Sequence, residues 1–160
     1  MFIIVQDNWL QKQECEYLIH YYEMNYLKAT KYKSYFPYVL QSNEIPFLQK
    51  KFNETVSKIN GSEYSYCGIV KWKPNTELYT HRDFEYTEKN VNNGHVMASV
   101  VYLNDDYKGG QTFIDDGTVI EPAQGRAIFF DGIWYKHGVR TVKKNFRYTL
   151  AAWFKAKKDE

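Results

Sequence analysis

The sequence predicts a mainly β domain with N-terminal helices, an α+β arrangement. Three observations carry this. Helical spacing of apolar residues is confined to the part before Gly61. Short runs rich in β-branched and aromatic residues follow it, and turn dipeptides punctuate them. Aromatic residues make up 18% of the chain, 15 of them Tyr, and such side chains suit pleated, half-buried strands. Helices first and strands afterwards point to a β-barrel or sandwich buttressed by helices.

Each element has its own signal. Phe2 to Val5 reads as a short strand. Leu10 to about Glu23 reads as a helix, with Leu10, Cys15, Leu18, Ile19 and Tyr22 toward one face. The Lys- and Tyr-rich stretch from about Lys28 to Val39 shows no clear period. Asn43 is read as the N-cap of a second helix, in which Ile45, Leu48, Phe52, Val56 and Ile59 follow 3-4 spacing. Pro46 falls in its first turn, where proline is tolerated, and Asn60-Gly61 ends it. Strands are then expected at Tyr64–Lys73, Val96–Leu103, Gln111–Ile114, Val119–Glu121, Ala127–Phe130, Trp134–Val142 and Phe146–Phe154. Residues 1–60 would support a β core spanning about 61–155, within one domain of 160 residues. The charged end, Lys155 to Glu160, is expected to fray.

Composition narrows the functional classes. A formal charge of +2 gives no reason to expect nucleic acid or an anionic membrane as partner. No apolar run has the length to span a bilayer, and the start, Met1 to Asp7, lacks the basic region of a signal peptide. Cys15 and Cys67 do not make a disulfide framework and are expected to be reduced and structural. A cytoplasmic setting follows as an expectation. The oligomeric state is left open.

The chemistry-bearing residues are His81, Asp83, His137 and Arg147. Residues i and i+2 of a strand share a face, so His81 and Asp83 can reach one ion from one segment. His137 lies in a different predicted strand. Two His and one carboxylate on one face of an iron ion form the facial triad of non-haem Fe(II) oxygenases. Arg147 shares a face with Thr149, Ala151 and Trp153. An Arg among such neighbours needs an anionic partner, because a buried unpaired charge is costly. The competing reading is a surface His–Asp pair with a packed core histidine. His20 reads as a surface or packing residue, His95 lies near a loop tip, and Arg126 reads as a solvated strand residue. Tyr79 and Tyr102 fit core packing better than lining a site. Phe84 to Gly94 reads as a loop able to close over a substrate.

In these residues the chain resembles the 2-oxoglutarate- and Fe(II)-dependent oxygenases, within them the prolyl 4-hydroxylase-like branch. The resemblance is strongest from Lys71 to Phe154. It rests on Trp72-Lys73-Pro74-Asn75 leading to His81-Arg82-Asp83, on Val101-Tyr102-Leu103-Asn104, and on Gly109-Gly110-Gln111-Thr112-Phe113. Pro122 to Asp131, His137-Gly138-Val139 and Arg147-Tyr148-Thr149-Leu150 complete it, and Asp7-Asn8-Trp9-Leu10 resembles the family's entry. The resemblance implies a double-stranded β-helix, the jelly-roll or cupin-like fold. It implies Fe(II) on His81, Asp83 and His137, with 2-oxoglutarate and O2 as co-substrates and ascorbate as a reductant. Arg147 would pair with the distal carboxylate of 2-oxoglutarate, and Thr112 and Trp72 occupy positions that contact it. Trp72 stands where the family usually carries Tyr, and an indole donates but cannot accept. Asn75 replaces a turn Gly, and Asn tolerates the left-handed conformation.

The implied activity is hydroxylation of a prolyl residue in a peptide or protein, with release of succinate and CO2. The alternatives are the same chemistry on a free amino acid or small metabolite, and a non-catalytic cupin-like binding module. Nucleic-acid demethylation is disfavoured, because Trp153 stands where those enzymes usually carry a further Arg.

Overall fold

Polar and special residues decide where each N-terminal element starts. The computed structural model describes residues 2–83 and 95–157. Strand β1 (Ile3–Gln6) turns through Asn8, at φ 53°, toward helix α1 (Lys12–Met24). The helix starts later than the apolar spacing suggests, because Gln11 caps it: its N–H donates to Glu14 Oε1 at 2.8 Å. A 3-10 turn (Tyr26–Lys28) precedes strand β2 (Tyr35–Val39), which lies in the stretch read as aperiodic. Helix α2 (Pro46–Ile59) carries Pro in its first turn. Asn43 is not its N-cap; that position belongs to Ile45, and Asn43 sits in a turn at φ 62°. Glu44 organises that turn instead, accepting from the Gln41 N–H and from the Tyr21 and Tyr38 hydroxyls. At the far end the N–H groups of Asn60 and Gly61 both donate to the Val56 carbonyl, and Gly61 supplies φ 71°.

The remaining strands are β3 (Glu63–Trp72), β4 (Leu78–His81), β5 (His95–Tyr102), β6 (Lys108–Gly109) and β7 (Thr112–Ile114). After them come β8 (Val119–Ile120), β9 (Ala127–Asp131), β10 (His137–Val139), β11 (Val142–Lys143) and β12 (Arg147–Lys155). The strand expected over Trp134–Val142 is therefore two short strands, and Trp134 lies outside both, 54% exposed. Six strands form the large sheet in the order β1-β9-β5-β12-β3-β2, and four form the small sheet, β4-β10-β7-β8. Strands β6 and β11 pair separately. All pairs are antiparallel. This is the jelly-roll expected from the resemblance.

The large sheet is covered on both faces, so its strands alternate between two destinations. Leu150, Ala152 and Phe154 of β12 join Cys67, Ile69 and Phe129 under the two helices. There Phe52 of α2 packs on Trp9, Phe154 and Phe129, with ring centroids 4.6, 5.4 and 6.4 Å apart. The opposite face packs on the small sheet, where Tyr102, Ile128 and Phe130 meet Ile114 and Ile120. Cys15 and Cys67 are free and buried on the helix side, and burial pushes both thiols up to about 11. Arg126, expected as a solvated strand residue, lies just before β9 and is partly exposed, and it pairs with Asp7 at 2.6 Å. Among the described residues no helix is long and apolar enough to cross a membrane.

Candidate active site

The small sheet brings the two histidines together. His137 opens β10 and lies in register with His81 at the end of β4. Their rings are 4.4 Å apart, centroid to centroid. Asp83 lies just past the end of β4, so strand alternation is not what aims it. Side chains do that. Asp83 Oδ1 is 3.4 Å from His81 Nε2 and 3.6 Å from His137 Nε2, and the Trp153 indole bonds to the carboxylate. His81 Nδ1 lies 3.1 Å from the Tyr79 carbonyl. A proton on Nδ1 satisfies that carbonyl, so the neutral imidazole can present its Nε2 lone pair to a metal ion.

These three residues fit a divalent metal. Their donor atoms all lie within 4.8 Å of one another. Ligand distances of about 2.0–2.2 Å place neighbouring donors roughly 3 Å apart, so only a small contraction is needed. Two imidazoles and one carboxylate suit Fe(II) and leave open positions. Electrostatics agree. Burial pushes the Asp83 carboxyl up, but the His81 hydrogen bond and the two histidines bring it below its ordinary value. The hydrogen bond to Asp83 raises His81, whereas burial lowers His137. The site therefore holds an ionised carboxylate and a neutral buried imidazole, both states that bind metal.

The triad opens into a cavity of about 250 Å³ that also contains Trp72, Thr112 and Arg147. Arg147 begins β12 opposite Trp72 of β3, and its guanidinium lies 5.2 Å from the Trp72 ring centre. It is 1% exposed. Its Nε donates to the Gly110 carbonyl at 3.0 Å and its Nη2 to Thr112 Oγ1 at 3.3 Å. Among the described residues no carboxylate pairs with it. A fixed, buried, unpaired guanidinium is a site for an anion. Thr112 is held in turn: the Tyr102 hydroxyl donates to its Oγ1 at 2.7 Å and accepts from its N–H at 2.9 Å.

All six residues singled out in the sequence thus face one cavity. Tyr102 is core and site support at once, while Tyr79 is 80% exposed. His20 is exposed on α1, and His95 opens β5. The loop expected to close over substrate, Phe84 to Gly94, lies outside the described residues. Three contributors escaped the sequence reading. Trp153 stacks on Tyr66, with centroids 4.7 Å apart, while bonding Asp83. Tyr107 packs with Trp72 and Val139 near Arg147. Gly110 seats both Tyr107 and Arg147: a Cβ there would lie 2.7 Å from Tyr107 Cε2 and 3.1 Å from Arg147 Cδ. The common face of Arg147 and Trp153 was the one available signal, and it pointed to Trp153 alone.

Known proteins resemble this chain in sequence and fold. The chain is 36% identical to human prolyl 3-hydroxylase 2 over 90 residues, which is 52% of this chain and 11% of that protein. It is 34% identical to rat prolyl 3-hydroxylase 1 over 83 residues, 48% of this chain and 10% of that one. The matches therefore span about a tenth of these relatives. Among solved structures, a viral collagen prolyl hydroxylase from Paramecium Bursaria Chlorella virus-1, in complex with 2OG, superposes with a TM-score of 0.83. That match has 19% identity and covers 99% of this chain and 97% of the other. A Pseudomonas putida prolyl-4-hydroxylase gives a TM-score of 0.81 at 18% identity, over 98% of this chain and 93% of the other. A Trichoplax adhaerens prolyl hydroxylase, in complex with a hypoxia inducible factor peptide fragment, gives 0.76 at 14% identity, over 96% and 83%. At such identities the shared property is the fold. Residues 67–155, which carry the triad and Arg147, match the sequence pattern of the 2OG-Fe(II) oxygenase superfamily, and the chain belongs to that family.

Proposed function

We propose that this chain is an Fe(II)- and 2-oxoglutarate-dependent dioxygenase that hydroxylates prolyl residues in a peptide or protein, releasing succinate and CO2. The observation that carries the proposal is Arg147, buried and without a carboxylate partner among the described residues, in the same cavity as the His81–Asp83–His137 cluster. Fe(II), 2-oxoglutarate and O2 together supply the oxidising power for an unactivated C–H bond. The chain supplies the rest. His81, Asp83 and His137 hold the metal, with Tyr79 and Trp153 orienting two of them. Arg147 and Thr112 bind the distal carboxylate, which fixes the 2-oxo acid at one distance from the metal ligands. The wall of Val70, Trp72, Val139 and Ala151 keeps the reacting centre dry.

The prolyl substrate is supported by the relatives' activities and by the cavity's rim. Val39 and Tyr66 line the cavity yet are 51% and 39% exposed, so it reaches the surface beside an aromatic floor. A prolyl segment is extended and preorganised by its fixed φ, and so can lie along such a rim at low entropic cost. The test supplies Fe(II), ascorbate and 2-oxoglutarate with a library of proline-containing peptides and free amino acids. Succinate release coupled to gain of one oxygen atom on a prolyl peptide is the expected result. Oxidation of free amino acids or small metabolites alone would move the substrate assignment and keep the chemistry. No 2-oxoglutarate turnover with any of them would leave a cupin-like binding module.

A further inference from the structure

A second, open groove of about 650 Å³ lies behind the wall of the catalytic cavity. Leu78 and Val139, paired across β4 and β10, line both spaces. Phe113 sits between the buried Thr112 and Ile114, so it turns to the outer face of the small sheet. Its ring covers Gly138, where a Cβ would fall 2.5 Å from Phe113 Cζ. Tyr79 borders the same groove and is 80% exposed. The rim is cationic. Lys108 of β6 and Lys143 of β11 are direct cross-strand partners, and like charges so placed destabilise a strand pair. Gly109, at φ 66°, keeps them there: a Cβ would fall 2.0 Å from the Thr141 carbonyl oxygen, so glycine alone lets β6 lie so close. Arg140 is exposed in the same groove, its backbone held by an N–H bond to the Gln111 carbonyl at 3.0 Å. Among the described residues none of these three cations pairs with a carboxylate. Glu77, the carboxylate lining the groove, accepts from the Thr141 hydroxyl at 2.9 Å.

We infer that this groove docks an acidic segment of a protein partner, with an apolar or aromatic side chain set among its carboxylates. The inference goes beyond the catalytic reading and does not depend on it. Two features point to the same occupant. The directly opposed Lys108 and Lys143 repel each other, and carboxylates laid between them and Arg140 turn that repulsion into attraction. The floor of Leu78 and Phe113, with Tyr79 beside it, gives a side chain between those carboxylates apolar surface to cover. Single-stranded nucleic acid also combines cations with aromatic stacking. Here Glu77 lies in the groove, Glu121 lies beside it on Gln111, and the whole chain carries only +2, all of which oppose an unbroken row of phosphates. Discrete carboxylates can be spaced to avoid Glu77.

The probe is a fluorescent peptide of Glu residues flanking a central Phe, followed by anisotropy with the whole chain. Wild type should bind it at low ionic strength, and more weakly as salt is added. The same peptide with Gln for Glu should not bind. The decisive variant is Lys143→Glu, which should bind the Glu peptide on the order of 10-fold more weakly, because it sets like charges against each other. In urea unfolding without peptide, Lys143→Glu should be at least as stable as wild type, since Lys108 then faces an opposite charge. Loss of binding without loss of stability separates docking from a damaged fold. Lys50→Glu makes the same change of net charge on an exposed position of α2 and should weaken binding far less. Tyr79→Ala should weaken binding with no change of charge. Failure of wild type to bind the Glu peptide overturns the inference. Equal weakening by Lys50→Glu and Lys143→Glu also overturns it, because net charge alone then explains the binding. Tighter binding of an oligothymidylate than of the peptide at the same salt replaces the acidic partner by a nucleic acid.

Discussion

The two faces of β12 divide the labour of this molecule. Leu150, Ala152 and Phe154 point under the helices, where each is buried by apolar neighbours. Arg147, Thr149, Ala151 and Trp153 point into the cavity, where among the described residues no carboxylate pairs with the buried guanidinium. The same strand thus carries a face that is finished by folding and a face that awaits a ligand. Stability and function should therefore respond to different substitutions, even at neighbouring positions.

Breaking the helix-side face should have the largest effect. Phe52 is fully buried against Trp9, Phe129 and Phe154. Phe52→Ala is expected to cost about 3–5 kcal/mol of stability, read by urea unfolding. The fraction that stays folded should keep its affinity for metal. A loss of metal affinity in parallel with stability would show that the two faces are not separable.

Arg147→Met tests the other face at nearly constant side-chain length. Co-substrate affinity should fall by about 2–5 kcal/mol, the loss expected when one partner of a buried charge pair is removed. Stability without ligand should fall by less, because only the hydrogen bonds to Gly110 and Thr112 are lost and the charge removed has no carboxylate partner among the described residues. Parallel unfolding and calorimetry decide. A drop in ligand-free stability as large as the drop in affinity would make Arg147 a structural residue.

Asp83→Asn sharpens the comparison at the metal. It keeps the shape but removes the ionised donor between His81 and His137. Metal affinity should fall by at least the roughly 10–100-fold that loss of a supporting outer group costs. Titration with Co(II), followed by its visible absorption, reads this directly. Unchanged affinity would mean that the two histidines bind the ion without the carboxylate. Lowering the pH should also weaken metal binding, since the raised His81 titrates in competition with the ion.

The contrast between the faces also explains what the sequence disclosed. The helix side follows from periodicity: the 3-4 spacing of Leu48, Phe52 and Val56 marks α2 without any knowledge of its partners. The triad and Arg147 were legible because ligand chemistry restricts residue type. Strand β2 was not. Its cavity-facing Tyr35, Pro37 and Val39 and its helix-facing Phe36 and Tyr38 are all apolar or aromatic, so no alternation shows, and Pro37 argues against a strand until β2 is seen to lie at the sheet edge. Asn43 failed as a cap because Glu44, through contacts with Tyr21 and Tyr38, sets the turn. Tyr107 had no signal, being one Tyr among 15, and its neighbour Arg147 lies far along the chain.

The smallest expected effect concerns the polar strap on the finished side. Glu23, near the end of α1, accepts from the Tyr148 hydroxyl of β12 and from Lys71 Nζ of β3 at 2.6 Å. Burial pushes its carboxyl up, but the hydrogen bonds from Lys71 and Tyr148 outweigh burial and hold it below 4.5. The sign follows from linkage. A carboxyl whose folded value is depressed stabilises the protein above its unfolded value, and that contribution disappears as the pH falls through the folded value. The Glu23 side chain is 39% exposed, so solvent screening keeps the contribution under about 1 kcal/mol. Glu23→Gln should therefore be slightly less stable than wild type at neutral pH, and the two should converge as the pH drops below 4.5. Urea unfolding of both proteins from neutral to acid pH measures the difference. A gap that stays constant over that range would assign the strap to hydrogen-bond geometry alone. A gap that closes shows that ionised Glu23 ties α1 to the sheet whose other face holds the ligand site.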